Sequence, residues 1–243
     1  MKKLFTLLLL PSLAFAGKIG ENYVGVELGA TSIDFKRIDA GGAVSTDANG
    51  FSWEISGNYN LYQPGAENYG LDLLLSYANG SGDDSGTHTG TNVTWTSDSD
   101  ISLFSVALRP HYDLGGFKIF ADLGLFHQDI EIDVKNPDTT KVSGDSSEFI
   151  YGGGFELTSG KFAISPSFSW TESPSLKTSG GDTYNGNDTM TFSIPVSYSY
   201  SNNIDITASF SAVNNDDFIN ASTSAEKVVS ESTSWGIGID YKF

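Results

Sequence analysis

Past its first twenty residues the chain repeats with a period of two, and one parity of that repeat carries no charge. Ten runs show it. The first places Val24, Val26, Leu28 and Ala30 on one side, the second Phe51, Trp53, Ile55, Gly57, Tyr59 and Leu61, the third Tyr69, Leu71, Leu73, Leu75 and Tyr77. The fourth to seventh continue the pattern from Phe104, Phe117, Phe149 and Phe162, the eighth and ninth from Met190 and Ile204. The last closes the chain with Trp235, Ile237, Ile239, Tyr241 and Phe243. Side chains of a strand point alternately to its two faces, so this period predicts ten strands, each with one apolar face. Charged residues make up 18% of the sequence, so a random choice of positions would not leave ten faces empty of them.

The opposite parity identifies the solvents. It reads Ser52, Glu54, Ser56 and Asn58 in the second run, Ser165, Ser167 and Ser169 in the seventh, and Asp205, Thr207, Ser209 and Ser211 in the ninth. A water-facing strand is richer in lysine and glutamate; small polar groups suit the bore of a barrel. Connection lengths agree. Gaps 31–50, 78–103, 126–148, 171–189 and 213–234 are long, and the intervening gaps 62–68, 113–116, 158–161 and 201–203 are short. A sandwich with Greek-key crossings has no reason to alternate this way. The predicted fold is all-β: a ten-stranded, up-and-down transmembrane antiparallel barrel with short periplasmic turns and long external loops. Aromatic residues sort by height into two girdles, Tyr59, Tyr69, Tyr112, Tyr198 and Tyr241 below and Trp53, Trp170 and Trp235 above, as at the two faces of a bilayer.

The first residues are read as an address. Lys2 and Lys3 precede the apolar run Leu4–Leu10, and Ala14-Phe15-Ala16 offers small residues at a cleavage site. Residues 1–16 are thus a predicted secretory signal peptide cleaved after Ala16, and 17–243 one barrel domain. The chain has no cysteine, which excludes disulfide scaffolds, thiolate metal sites and cysteine nucleophiles. A formal charge of -17 argues against a nucleic-acid partner, since little here neutralises phosphate.

On these features the chain resembles small bacterial outer-membrane β-barrel proteins over residues 17–243. Ile239, Tyr241 and the terminal Phe243 are similar to the C-terminal signal read by that family's assembly machinery. The resemblance implies an outer membrane of a Gram-negative envelope, contact with its lipid and lipopolysaccharide, and export through the periplasm. A monomer is expected. Pro110, Pro166 and Pro195 fall inside runs, where each removes a ladder donor, so bulges or frayed pairing are expected there.

Inward positions near the periplasmic end form the candidate site. Arg109 faces Asp72 and Asp122 at similar heights, with Glu27, Lys118, Glu156 and Asp240 in the same half. A lone arginine in a narrow lumen is costly, so ion pairing is expected, as a plug or as a selectivity constriction. A ten-stranded barrel also invites comparison with omptin proteases. His127 and Asp129 share a face near the rim, with His88, Asp83, Asp84, Asp98 and Asp100 in the neighbourhood, but the omptin motifs do not line up in order or context. No catalytic residue, cofactor or metal is assigned, and His111 is read as a lumen residue. Three roles remain open in order: a structural or surface-interaction protein with acidic external loops and a mostly plugged lumen, a narrow porin-like channel for small or cationic solutes, and a rim hydrolase.

Overall fold

The alternating runs close into an antiparallel barrel of ten staves in the computed structural model, which describes residues 18–39, 42–63, 68–87, 94–136, 138–172, 175–179, 181, 183–186, 188–220 and 227–243. Residues 1–16, read above as a signal peptide, and His88 lie outside the described residues. Six staves follow one another as β1 (Tyr23–Asp39), β2 (Gly42–Tyr62), β3 (Tyr69–Thr87), β4 (Thr94–Asp113), β5 (Phe117–Asn136) and β6 (Asp138–Ser159). The seventh consists of β7 (Phe162–Ile164), β8 (Ser167–Glu172) and β9 (Leu176–Thr178), and the eighth of β10 (Thr183–Asn185) and β11 (Asp188–Ser199). Staves nine and ten are β12 (Ile204–Asn220) and β13 (Lys227–Lys242). Each pairs with its chain neighbour, and β13 returns to β1 through Val24↔Tyr241, Leu28↔Ile237 and Ala30↔Trp235, which leaves no free edge.

The charge-free parity faces outward. Val26, Leu28, Leu75, Leu123, Phe149, Ile237 and Phe243 are all exposed on the barrel wall. Ser165, Ser193, Ser209 and Ser211, of the opposite parity, are buried. Buried serines also bond across staves, as in Ser193–Ser211 (3.1 Å) and Ser76–Ser105 (2.9 Å). A bilayer turns the usual rule inside out: oil is outside, and the interior holds the hydrogen-bonding groups.

Where they are described, the long external connections consist largely of strand. The β1–β2 ladder continues to Asp39↔Gly42, β3–β4 to Thr87↔Thr94 and β5–β6 to Asn136↔Asp138. β2 and β6 reach 21 and 22 residues. At ~3.3 Å per residue and a tilt near ~40°, such a stave spans on the order of 50 Å, about twice the ~25 Å apolar band of a membrane barrel. Half of each long stave therefore stands above the lipid.

There the two faces exchange character. In β5, Asp129, Glu131 and Asp133 keep the outward parity of Leu123 and Leu125, while Ile130 and Ile132 point inward and are buried. Ile101 on β4 and Val142 on β6 join them inside. Over β4–β6 the projecting half resembles the wall of a water-soluble β-barrel, acidic without, with isoleucine and valine packed among the buried Ser97, Ser99 and Gln128 within. A cluster of Leu103, Phe126, Ile150 and Val213 lies below it, so apolar filling continues down into the lumen.

The prolines interrupt the wall where expected, with one refinement. The β4–β5 ladder skips from Leu108↔Leu123 to His111↔Phe120, passing over Pro110, while the β3 side runs unbroken through Leu71↔Pro110. Pro166 separates β7 from β8. Pro195 lies in continuous register with Ser209 of β12. Its carbonyl accepts from the Ser165 amide (3.0 Å), so its missing N–H faces stave seven, where the ladder is already broken.

Candidate functional site

All seven predicted lumen charges occupy inward parities, and the ladder brings them together in two groups. In the first, Arg109 of β4 grips Asp122 of β5 through two parallel bonds, Nε to Oδ1 at 2.7 Å and Nη2 to Oδ2 at 2.8 Å. Its guanidinium lies 4.3 Å from the centre of the Phe120 ring. This fork geometry is the strong form of an arginine–carboxylate contact, and the aromatic face below adds a cation–π term. Asp72 sits opposite Arg109 in the β3–β4 register and is fully buried. It accepts from Asn60 Nδ2 (2.8 Å) and from the Gly20 amide (2.9 Å), and His111 Nδ1 lies 3.6 Å away. Lys118 approaches Glu156 at 3.4 Å, and Glu156 also accepts from Ser165 Oγ (3.3 Å).

The second group is almost entirely acidic. Glu27 accepts from Ser209 Oγ at 2.6 Å, and its carboxylate lies across Gly236, where a Cβ would overlap it. Asp240 lies across Gly25 in the same way. These glycines leave the space that lets a carboxylate lie flat against the neighbouring stave. Glu54 stands directly opposite Glu27, and Asp205 directly opposite Asp240, with Lys242 Nζ at 2.8 Å from Asp205. Glu54, Asp205 and Lys242 were not among the candidate site residues. Their signal was available: Glu54 and Asp205 have the inward parity of runs two and nine.

Little open space remains beside Arg109 and Asp122. The cavity bounded by Arg109, Asp122, Ser105, Ser165 and Ser193 holds about 20 Å³, room for a single water rather than a file of solute.

Above the membrane the outer wall carries rows of like charge in register. Asp83, Asp98 and Asp133 stand side by side across β3, β4 and β5, Asp100 faces Glu131, and Asp129 faces Asp145. Like charges directly opposed destabilise a sheet. Lys135 meets Asp98 at 3.0 Å and Lys141 meets Asp133 at 3.4 Å, exposed pairs of the kind worth ~0.2–1 kcal/mol. A hollow of about 750 Å³ on this wall is bordered by Asp100, Asp129, Glu131, Asp145 and Lys177. Among the described residues, no group of three or more His, Asp or Glu is arranged to hold a metal ion.

The rim pair has the same outward orientation. His127 Nε2 lies 3.4 Å from Asp129 Oδ2, and His127 Nδ1 is 2.8 Å from Ser147 Oγ, both side chains roughly half exposed. They stand on the outer wall, where Asp129 also borders that hollow. Of the predicted girdle residues, Trp53 packs against Tyr77, Trp170 stacks on Tyr151, Trp235 meets Phe210 at 4.5 Å and Tyr198 meets Phe162 at 4.9 Å. Tyr59, Tyr69, Tyr112 and Tyr241 are exposed on the outer wall, as are Ile239 and Phe243.

A family model described as outer membrane protein beta-barrel domain matches residues 4–199. No curated protein matches in sequence. Among solved structures, the chain is similar to the transport unit of the autotransporter AIDA-I from Escherichia coli, with a TM-score of 0.62 at 13% identity, over 97% of this chain and 94% of that one. It is similar also to the outer membrane protease OmpT from Escherichia coli, with a TM-score of 0.60 at 10% identity, over 93% and 98%. At these identities the likeness is one of fold.

Proposed function

The chain belongs to the outer membrane protein beta-barrel domain family, and on that premise we propose that it is a closed barrel whose working surface is the acidic wall it raises above the lipid. The observation that carries this reading is the exchange of faces. Below, the barrel meets lipid with apolar groups; above, it turns carboxylates outward and fills its bore with Ile101, Ile130, Ile132 and Val142. A porin-type solute path is the reverse, a polar, water-filled bore. The rows through Asp98, Asp100 and Glu131 suit cationic partners, or lipopolysaccharide phosphates bridged by divalent cations, because mutually repelling carboxylates gain most from a counter-charge. The protein is not read as an enzyme, a view supported by the solvent-exposed setting of the His127–Asp129 pair.

The same reading keeps cleavage after Ala16, a monomeric state, and assembly through Ile239, Tyr241 and Phe243. Its test has two arms. Planar-bilayer recordings of the refolded protein are expected to show no stable openings. Vesicles carrying the protein are expected to bind a polylysine-coated surface, and to lose most of that binding when Asp98→Asn, Asp100→Asn and Glu131→Gln are combined. Stable openings altered by Arg109→Ala would replace this reading with a narrow cation-preferring channel, which the acidic group Glu27, Glu54, Asp205 and Asp240 favours. Unchanged binding by the triple variant would remove the acidic wall as the working surface.

A further inference from the structure

Residues 18–22, immediately before β1, do not trail into the periplasm. Lys18 to Glu21 form a turn closed by a bond from the Glu21 amide to the Lys18 carbonyl (3.3 Å), with Gly20 at φ +83°. A glycine at the third position with positive φ is the requirement of a type II turn. The tip of that turn enters the barrel mouth, and the Ile19 side chain is only 1% exposed.

The mouth meets it group by group. The Ile19 amide donates to Glu156 Oε2 (3.0 Å) and the Gly20 amide to Asp72 Oδ2 (2.9 Å). Lys118 donates to the Ile19 carbonyl, and Asn58 Nδ2 donates to the Glu21 carbonyl (2.8 Å). Lys18 Nζ reaches Ser199 Oγ (2.7 Å), Asn22 Oδ1 accepts from the Asn60 amide (2.7 Å), and Lys242 approaches Glu21 at 3.4 Å. The turn is thereby tied to β2, β3, β5, β6, β11 and β13, six staves that only the closed barrel brings around one point. Carboxylates accepting backbone amides, and an ammonium donating to a backbone carbonyl, recognise peptide main chain as a class.

We propose that the periplasmic mouth is a peptide-binding site, and that residues 18–22 of the same chain occupy it as a cork sealing the lumen from below. Its ligand class is a short peptide in a glycine-containing turn, with a branched aliphatic side chain at the tip and a lysine before it. This goes beyond the role of the upper wall and does not depend on what that wall meets. It also accounts for part of the charge cluster: Asp72, Glu156 and Lys118 are ligands for the cork as well as partners of one another.

The chain lacks cysteine, so Ser197→Cys, a buried lumen position two residues above Ser199, is a unique reporter. In vesicles with the periplasmic mouth accessible, a small hydrophilic thiol reagent is expected to label it slowly in the otherwise full chain. Labelling should accelerate about ten-fold or more with Ile19→Asp, and equally on deletion of residues 18–21, since both remove the seal rather than the barrel. Heat-modifiable gel mobility selects the folded band for each comparison. A synthetic peptide of residues 18–22, added to the deletion variant, is expected to slow labelling again, and the same peptide with aspartate in place of Ile19 is not. Equal labelling of all three proteins would overturn the cork, and a peptide without effect would overturn the binding site.

Discussion

Ile130→Asp tests the exchange of faces at a single residue. Ile130 is 1% exposed on the inward face of β5, between the buried Gln128 and Ile132. Burying an isoleucine side chain stabilises by about 1.5–3 kcal/mol. Among the buried described residues Arg109, in the membrane half, is the sole arginine or lysine, so a carboxylate at this position meets no buried cation among them. An uncompensated buried charge costs about 3–5 kcal/mol, so the variant loses on the order of 5–8 kcal/mol locally. That is comparable with the whole stability of a typical domain, ~5–15 kcal/mol. The loss falls on the projecting hairpins, since the lipid still confines the lower half. Amide exchange read by mass spectrometry is the assay: residues 126–146 should exchange more than about a thousand-fold faster, with the membrane half unmoved. Glu131→Ile, one residue away on the outer face, is the control and should leave exchange unchanged or slower, because it removes the repulsion from Asp100. Equal damage from both variants, or none from Ile130→Asp, would refute the assignment of faces.

Other outcomes follow from the lower lumen and the wall. Removing Arg109 or Asp122 singly strands a charge and should cost about 3–5 kcal/mol in urea unfolding from vesicles, while Arg109→Met with Asp122→Leu should cost clearly less than the sum. Gly25→Ala forces a Cβ into the Asp240 carboxylate and should destabilise by about 1–3 kcal/mol; coupling it with Asp240→Ala should recover most of that loss. Combining Asp98→Asn with Asp100→Asn should raise thermal stability at low ionic strength and have little effect at ~1 M salt, where exposed charges are screened; a gain independent of salt would contradict like-charge repulsion as its cause.

The sequence made the membrane half of this fold legible because lipid imposes one condition on every stave, an outer face without charge. Run five stops at Leu125 on that criterion, yet Asp129-Ile130-Glu131-Ile132-Asp133 continues the same strand in the same period with its apolar and polar faces exchanged. Apolar parity reports where the oil is, not where the strand ends, so extended hairpins read as long loops. The pairing of Arg109 with Asp122 was foreseeable from height above the turns. The part played by Asp72 was not, because its amide donor comes from Gly20, in a segment that has no alternation and reads as a tail. Pro110 and Pro166 broke the ladder as their missing donors require; Pro195 spared its β12 side because the direction of its N–H depends on a register no single run reveals.

A cysteine scan along β5 tests the whole account most directly, each substitution supplying the chain's only thiol. Positions 121, 123 and 125 should report to a lipid-soluble quencher, 129, 131 and 133 should react with a hydrophilic thiol reagent, and 128, 130 and 132 should be shielded from both. Rapid aqueous labelling at 130 and 132, or at 123 and 125, would contradict it.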